Sequence, residues 1–168
     1  MTPGTEREEA QLALVIDLRP PDAAAGLRVG ADRSEIVTAL REFGEPQLVT
    51  RAHRRMPSWT VRRPSGLVIR CHVDRAGQLD AIEFGRPTEP GDVVRYAGID
   101  VFGTPAEEFV AALRTRTPVV EEDHGYAYVA PELLLSCWRA STPKDPEDTE
   151  GRWFDSVLIA RPGYYNQT

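Results

Sequence analysis

The pattern of apolar and polar residues predicts a short amphipathic helix early in the chain. Between residues 36 and 43 the apolar side chains fall on one helical stripe, which is typical of a helix packed against a core. Asp32 is placed to cap this helix, with Glu35 at its third position. Gly44 and Pro46 follow and are expected to end the helix.

A second helix start lies in the other half of the chain. Residues 103–114 (GTPAEEFVAALR) and residues 30–41 (GADRSEIVTALR) are identical at six of twelve positions. Within the second segment, Thr104-Pro105-Ala106-Glu107 predicts a capping box with proline at the first helical position. Pro118 is expected to end this helix. The same helix entry is therefore predicted twice.

Alternation of apolar and polar residues predicts strands after each helix. Leu67, Ile69, Cys71 and Val73 occupy every second position, as in a strand with one buried side. Ala76-Gly77 then signals a turn. The predicted strands are 58–63, 66–73 and 79–85 in the first half and 125–130, 132–139 and 153–160 in the second. Additional strands are expected at 12–18 and 93–101.

Three further pairs of segments match in the same order along the two halves. They are 59–61 (WTV) with 126–128 (YAY), 66–71 (GLVIRC) with 132–137 (ELLLSC), and 80–87 (DAIEFGRP) with 155–162 (DSVLIARP). Asp80 and Arg86 thus recur as Asp155 and Arg161, which we interpret as a repeated structural salt bridge or turn contact. The predicted fold is α+β, a tandem duplication of an α-β-β-β unit with an antiparallel sheet and helices packed on one face.

The two predicted units are expected to pack on each other, because each alone would bury too little apolar surface. The expected boundaries are a disordered N-terminus at 1–10, repeat 1 at 11–87, a linker at 88–92 and repeat 2 at 93–168. One continuous sheet of six to eight strands in one compact body is favoured. Two separate small lobes are the alternative.

Residues 26–46 (GLRVGADRSEIVTALREFGEP) resemble a pattern of the small outer-membrane assembly lipoproteins and of the beta-lactamase inhibitor protein family. In those families a glycine leads into a short helix that ends in Gly-x-Pro, and antiparallel strands follow. The residues that carry the resemblance are Gly30, Val37, Leu40, Gly44 and Pro46, and in the second half Gly103, Val110 and Leu113. The resemblance implies a sheet surface that binds another protein, and it implies no catalytic residue.

Charge is unevenly distributed along the chain. The net charge of −6 disfavours non-specific binding of nucleic acid. Residues 88–168 hold 14 acidic and 7 basic residues, whereas residues 44–75 hold seven arginines and two acidic residues. The sequence shows neither a signal-peptide pattern nor an apolar run of membrane-spanning length, so a cytoplasmic location without a membrane partner is expected.

The residue types that often carry catalysis do not form a recognisable constellation. His53, His72 and His124 have no metal-ligand spacing with another histidine or cysteine. Cys71 and Cys137 are interpreted as small buried residues at equivalent positions, and a cysteine nucleophile paired with a distant histidine is the less favoured alternative. The sequence has no phosphate-binding loop or serine elbow. It therefore predicts no cofactor, no metal and a protein that is not an enzyme.

The arginine-rich stretch 51–75 is the most prominent polar feature of the sequence. Arginine and tryptophan are typical anchors of protein interfaces, so the leading hypothesis is a non-enzymatic protein-binding module of inhibitor, immunity or adaptor type. Its candidate contacts are Trp59, Arg62, Arg70, Tyr126, Trp138 and Trp153. A basic patch is expected at Arg51, Arg54, Arg55, Arg63 and Arg75. The acidic loop 142–150 is either a tolerated insertion or a contact arm or lid.

Two other functions are kept as alternatives. A small-molecule-binding or enzymatic domain would need a pocket between helices and sheet, with convergent polar groups such as His53, His72 or Arg70. Nucleic acid is the less favoured partner and would bind the segment 51–75 around Trp59. The same basic segment could also simply face the acidic second half of its own chain.

Overall fold

A computed structural model describes residues 13–51 and 56–164. The elements before residue 88 are β1 (Val15–Asp17), β2 (Ala23–Ala24), β3 (Leu27–Arg28), α1 (Arg33–Leu40), β4 (Gln47–Val49), β5 (Ser58–Arg62), β6 (Val68–Val73) and β7 (Leu79–Gly85). The elements after it are β8 (Val93–Tyr96), β9 (Ile99–Asp100), α2 (Ala106–Arg114), β10 (Val120–Glu122), β11 (Ala127–Ala130), β12 (Leu135–Trp138) and β13 (Ser156–Ala160). Two short 3-10 turns, Asp123–Gly125 and Pro131–Leu133, flank β11.

Eight strands form one antiparallel sheet in the order β4-β5-β6-β7-β13-β12-β11-β10. Strands β7 and β13 pair at its centre, where Ile82 lies opposite Ile159. Each half of the chain therefore supplies four consecutive strands, and the two sets run outward from the central pair. The α+β class and the antiparallel sheet are confirmed. The predicted three-strand units lacked the outermost strands, β4 and β10, each of which has only three residues.

The core lies between one face of this sheet and the two helices. Buried side chains at alternate positions of the sheet strands point into it, among them Val61, Ile69, Cys71, Ile82, Phe84, Leu135, Cys137, Val157 and Ile159. The helices contribute Ile36, Leu40, Phe109, Val110 and Leu113 to the same cluster. Val68, Ala81 and Ala160 are buried but lie outside the cluster, because they point to the opposite face. Both helices therefore pack on one face, as the sequence predicts.

The two helix starts differ in how their backbone N–H groups are satisfied. At α1, Asp32 accepts from the Glu35 N–H and Glu35 accepts from the Asp32 N–H, which confirms the predicted capping box. The predicted capping box of α2 is wrong. Pro105 is the N-cap, and no side chain caps the helix. Instead the Ala106 N–H donates to the Arg152 carbonyl at 2.8 Å, a partner that lies 46 residues away in sequence.

The register of the second hairpin departs from the sequence alignment of the two halves. Trp59 lies opposite Cys71, and Tyr128 lies opposite Cys137. Trp59 therefore corresponds to Tyr128 and not to Tyr126. The strand expected at 132–139 begins at Leu135, because Pro131–Leu133 form a 3-10 turn and Leu134 follows it with φ of 51°.

A smaller sheet of order β1-β8-β9 lies beside the main one. Strands β1 and β8 are parallel, with Ile16 opposite Val94. The strand expected at 93–101 is broken into β8 and β9 by a turn at Ala97 and Gly98, both with positive φ. The β2–β3 hairpin was not predicted from the sequence. The disordered N-terminus predicted at 1–10 lies outside the described residues.

Candidate functional site

One face of the eight-stranded sheet carries neither α1 nor α2, and we call it the helix-free face. Its side chains alternate with the core positions along each strand. One row across the sheet is Thr60, Arg70, Glu83, Leu158, Ser136 and Val129. The neighbouring row is Arg62, Val68, Gly85, Ser156, Trp138 and Ala127.

A charged cluster lies near the centre of the helix-free face. Arg70 Nη1 lies 2.8 Å from Glu83 Oε1, and His72 Nε2 lies 3.4 Å from Glu83 Oε2. The side chains of Arg70, His72 and Glu83 are only 19%, 9% and 15% exposed. The cluster is therefore a fixed part of the surface, and its charges are held by contacts within the protein.

The ionisation of Glu83 is set by two opposing effects. Burial alone would raise the pKa of this carboxyl group. The hydrogen bond and charge of His72, together with the charge and hydrogen bond of Arg70, outweigh burial and lower the pKa of Glu83 to about 2. The ionised carboxylate can therefore orient both basic side chains at neutral pH, so that a polar partner would meet prearranged hydrogen-bond donors.

Three of the six candidate contact residues share the helix-free face. Arg62 and Trp138 lie in one row, four strand spacings apart, and Arg70 lies in the next row. Trp138 is 47% exposed. Strand spacing places Arg62 and Trp138 about 19 Å apart across the sheet. The structure thus brings together one aromatic and two arginine candidates from both halves of the chain.

The other three candidates lie elsewhere. Trp59 is half-buried on the helix side of the sheet, and the Arg33 guanidinium lies 5.3 Å from its ring centroid. Tyr126 is exposed at the end of a 3-10 turn. Trp153 lies in the loop before β13 and lines a concavity of about 770 Å³ with Arg86. The six candidates therefore do not form one continuous surface.

The expected basic patch is also divided. Arg63 is buried, with its guanidinium bound to Asp92. Arg51 and Arg75 are exposed, but they lie at the end of the sheet strands opposite to Arg62. Arg54 and Arg55 lie outside the described residues, as does His53. The described part of the arginine-rich stretch therefore supplies separate charges on different surfaces.

The Asp and Arg residues that recur in the two halves form salt bridges between the halves. A repeated salt bridge is one of the two roles predicted for them from the sequence. Arg86 Nη2 lies 3.1 Å from Asp155 Oδ1, and Arg161 is bonded to Asp80. The backbone follows the same pattern, since the Arg86 N–H donates to the Asp155 carbonyl and the Arg161 N–H to the Asp80 carbonyl. Each half therefore supplies the arginine for the aspartate of the other, at opposite ends of the central strand pair.

Both cysteines are buried, as expected from the sequence. Burial raises the pKa of the Cys71 thiol to about 12 and raises the pKa of the Cys137 thiol as well. Neither thiol ionises appreciably at neutral pH, and a protonated thiol is a poor nucleophile. Within residues 13–51 and 56–164, no group of three or more His, Cys, Asp or Glu side chains is placed to hold a metal ion.

The acidic loop 142–150 is ordered by its own carboxylates. Asp145 accepts from the N–H groups of Glu147 and Asp148, and Asp148 accepts from those of Lys144 and Glu150. The loop lines a concavity of about 500 Å³ that also includes Glu107, Tyr128 and Arg139. Its role as a contact arm or lid stays a prediction.

Glu83 is the central residue of the cluster, and it is not among the candidate residues predicted from the sequence. The signal available was a carboxylate flanked by apolar residues in the strand segment 79–85, which also contains Asp80. Once the turn at Ala76-Gly77 sets the hairpin register, Glu83 lies opposite Arg70. That pairing depends on a bulge between His72 and Val73, which alternation alone does not locate.

Comparisons of the chain with protein-family models, curated proteins and solved structures found no match. Helices α1 and α2 have eight and nine residues, so neither of the helices in the described ranges is long enough to cross a membrane.

Proposed function

We propose that the protein is a non-enzymatic protein-binding module of inhibitor, immunity or adaptor type, and that it binds its partner with the helix-free face. The observation that carries the proposal is Trp138, which is half exposed in the same row as Arg62, while the Arg70–Glu83 pair lies in the neighbouring row of the same face. Exposed aromatic and arginine side chains are the residues that most often dominate protein interfaces.

The rigidity of the surface supports this proposal. The contact residues lie on strands of a continuous sheet, and Arg70 is fixed by Glu83. A surface that is already ordered loses little conformational entropy on binding. Gly85, Ser136 and Ser156 are small residues, and they leave room between the larger side chains for a partner to approach.

A photo-cross-linking amino acid placed at Ser156 tests the proposal in native cell extract. Ser156 lies between Gly85 and Trp138 in the row of the helix-free face. The control position is Leu48, which is 54% exposed and lies opposite Trp59, so its side chain points to the helix side. We expect one protein to cross-link at Ser156 and not at Leu48, and mass spectrometry identifies it.

The affinity of the recovered partner then tests the individual contacts. We expect Trp138→Ala to weaken binding at least tenfold, which is roughly the effect of losing an interface anchor. Leu48→Ala removes an exposed apolar side chain on the other side and should leave affinity unchanged. If Trp138→Ala combined with Arg62→Ala leaves affinity unchanged, the helix-free face is not the binding site.

The alternatives stay predictions. An enzymatic or small-molecule site would be supported by saturable binding of a metabolite that His72→Ala abolishes. Nucleic-acid binding would have to weaken steeply with salt. The resemblance to inhibitor-like and lipoprotein-like units and the cytoplasmic location also stay predictions.

We also infer that the two halves are copies of one unit, as the matched sequence segments predict. The mirrored strand order and the reciprocal Asp–Arg pairs support this inference. Replacing Val157 by isoleucine and Ile159 by phenylalanine, the residue types at the equivalent positions 82 and 84, tests it and leaves Leu158 opposite Glu83. We expect a folded protein that is about 1–3 kcal/mol less stable, because larger side chains enter the core. An unfolded chain would contradict the equivalence of the two segments.

A further inference from the structure

A groove of about 970 Å³ lies on the helix side of the molecule, between strand β1 and helix α1. Its apolar lining includes Ile16, Ala24 and Leu27, each no more than 4% exposed, together with Ala39 and Phe43. No residue of β8 lines the groove, so it borders the edge of β1 that faces away from β8.

That edge of β1 carries backbone groups available for pairing. The Leu14 carbonyl accepts from the Val93 N–H, and the Leu18 N–H donates to the Arg95 carbonyl. The backbone N–H and C=O groups of the even-numbered residues of this segment therefore point toward β8. Backbone groups alternate along a strand, and those of Val15 and Asp17 therefore point toward the groove. Arg19, two residues further along, already pairs with Ala23 in antiparallel fashion.

Within the described ranges, Val15 and Asp17 have no backbone hydrogen bond on the groove side. Val15 is 54% exposed. A strand edge with unpaired N–H and C=O groups is a template for another strand. The antiparallel Arg19–Ala23 bridge already pairs one residue on this edge of β1. The next two pairing positions along the edge are open toward the groove.

The charged rim of the groove favours a basic occupant. Glu35 lies on α1 and Glu42 lies in the turn that follows it, and both are exposed at the groove. Arg28 is neutralised by Asp22, with 3.0 Å between Nη1 and Oδ2. On the opposite rim Asp17 is paired with Arg95, at 3.0 Å between Oδ1 and Nε, which leaves the charge of Arg19. The α1 side of the groove therefore carries the negative charge of the two glutamates, and the β1 side carries the positive charge of Arg19.

We propose that this groove binds an extended segment of a partner protein that alternates apolar and basic residues. The segment adds to β1 as an antiparallel strand, paired with Val15 and Asp17. Its apolar side chains pack on Ile16, Ala39 and Phe43, and its basic side chains approach Glu42 and Glu35. Strand addition of this kind draws affinity from main-chain hydrogen bonds and specificity from alternate side chains. The site is separate from the helix-free face.

The probe is a capped five-residue peptide that alternates lysine and valine, titrated into the full-length ¹⁵N-labelled protein. We expect its largest amide shift changes at Val15, Asp17 and neighbouring groove residues. The same peptide with glutamate in place of lysine should bind at least three times more weakly, because it meets the glutamate rim. Trp138→Ala should leave peptide binding unchanged, which separates this test from that of the proposed function.

Two pairs of variants test the mode of binding. Val15→Pro removes a groove-side N–H, whereas Val15→Ala keeps it, and proline is tolerated on a free strand edge. We expect the proline variant to bind roughly three to ten times more weakly than the alanine variant. Glu42→Lys should weaken binding by a similar factor. Glu45→Lys is the matched control, since Glu45 is exposed and does not line the groove.

Several results would overturn the proposal. One is equal peptide affinity for the proline and alanine variants, and another is shift changes confined to other surfaces. A third is slow hydrogen exchange of the Val15 and Asp17 amides in the absence of peptide. Slow exchange at every protein concentration would mean that another segment of the same chain pairs with this edge of β1. Slow exchange only at high concentration would mean that a second copy of the protein pairs with it.

Discussion

Arg63 and Asp92 form a buried ion pair, with 2.8 Å between the guanidinium Nε and the carboxylate Oδ2. Their side chains are 6% and 3% exposed. Arg63 Nη1 also donates to the Phe43 carbonyl, and Asp92 accepts from the Leu14 N–H. One ion pair therefore links the end of β5, the turn after α1 and the start of β1 to the segment 88–92, which is a predicted linker in the sequence.

Arg63→Met is expected to destabilise the protein by about 3–5 kcal/mol, because it leaves Asp92 buried without its charged partner. Urea unfolding followed by circular dichroism measures the change. Arg62→Met is the matched control, since Arg62 is exposed on the neighbouring position, and it should change stability by less than about 0.5 kcal/mol. A loss below 1 kcal/mol for Arg63→Met would show that water replaces the guanidinium.

Glu83→Gln is expected to lower stability by about 3 kcal/mol at pH 7, since the pKa of Glu83 falls from 4.5 to about 2 in the fold. The folded state favours the ionised form, so this stabilisation is complete above pH 4.5 and is lost as the pH falls through 2. The stability difference between wild type and variant should therefore shrink over that range. Urea unfolding at a series of pH values measures it, with Glu89→Gln on the exposed surface as control.

The two reciprocal salt bridges should differ in strength. Arg86 and Asp155 are 39% and 31% exposed, so a double-mutant cycle should give a coupling of about 0.5 kcal/mol or less. Asp80 is only 9% exposed, and its coupling to Arg161 should reach about 1–2 kcal/mol. Equal couplings would mean that burial of Asp80 does not strengthen its contact.

Gly151→Ala is expected to destabilise the protein more than Gly77→Ala. Both glycines have positive φ, 73° and 79°, which costs an alanine about 1 kcal/mol. A methyl group at Gly77 would meet open space, whereas at Gly151 it would overlap the Ser141 carbonyl. The additional cost at Gly151 should be about 2 kcal/mol or more, measured by thermal unfolding of the two variants. Equal losses would show that the loop shifts freely.

Local patterns in the sequence determined much of the secondary structure. The Asp32–Glu35 capping box depends on residues three apart, and strand 79–85 was predicted with the bounds that the structure shows. The alternation around Cys71 correctly assigned the buried side of β6. Such features need only the neighbours of a residue along the chain, so a single sequence is sufficient to predict them.

Contacts between distant residues decided the rest. The edge strands β4 and β10 have three residues each and are formed by pairing with β5 and β11, which no short pattern indicates. The start of α2 is completed by the Arg152 carbonyl instead of a local cap. The sequence alignment of the two halves placed β11 two residues away from its register in the structure. The difference arises because residues on either side of β11 form 3-10 turns.

The sequence by itself determined which residue types are available for binding, namely tryptophan and, in the stretch 51–75, a surplus of arginine over acidic residues. Only the tertiary structure decided that Trp138, Arg62 and Arg70 share a face while Trp59 points to the helices. It also placed Arg63 in a buried ion pair and Glu83 between Arg70 and His72. The physical reason is that strand order and register set which side chains meet, and both depend on contacts across the whole sheet.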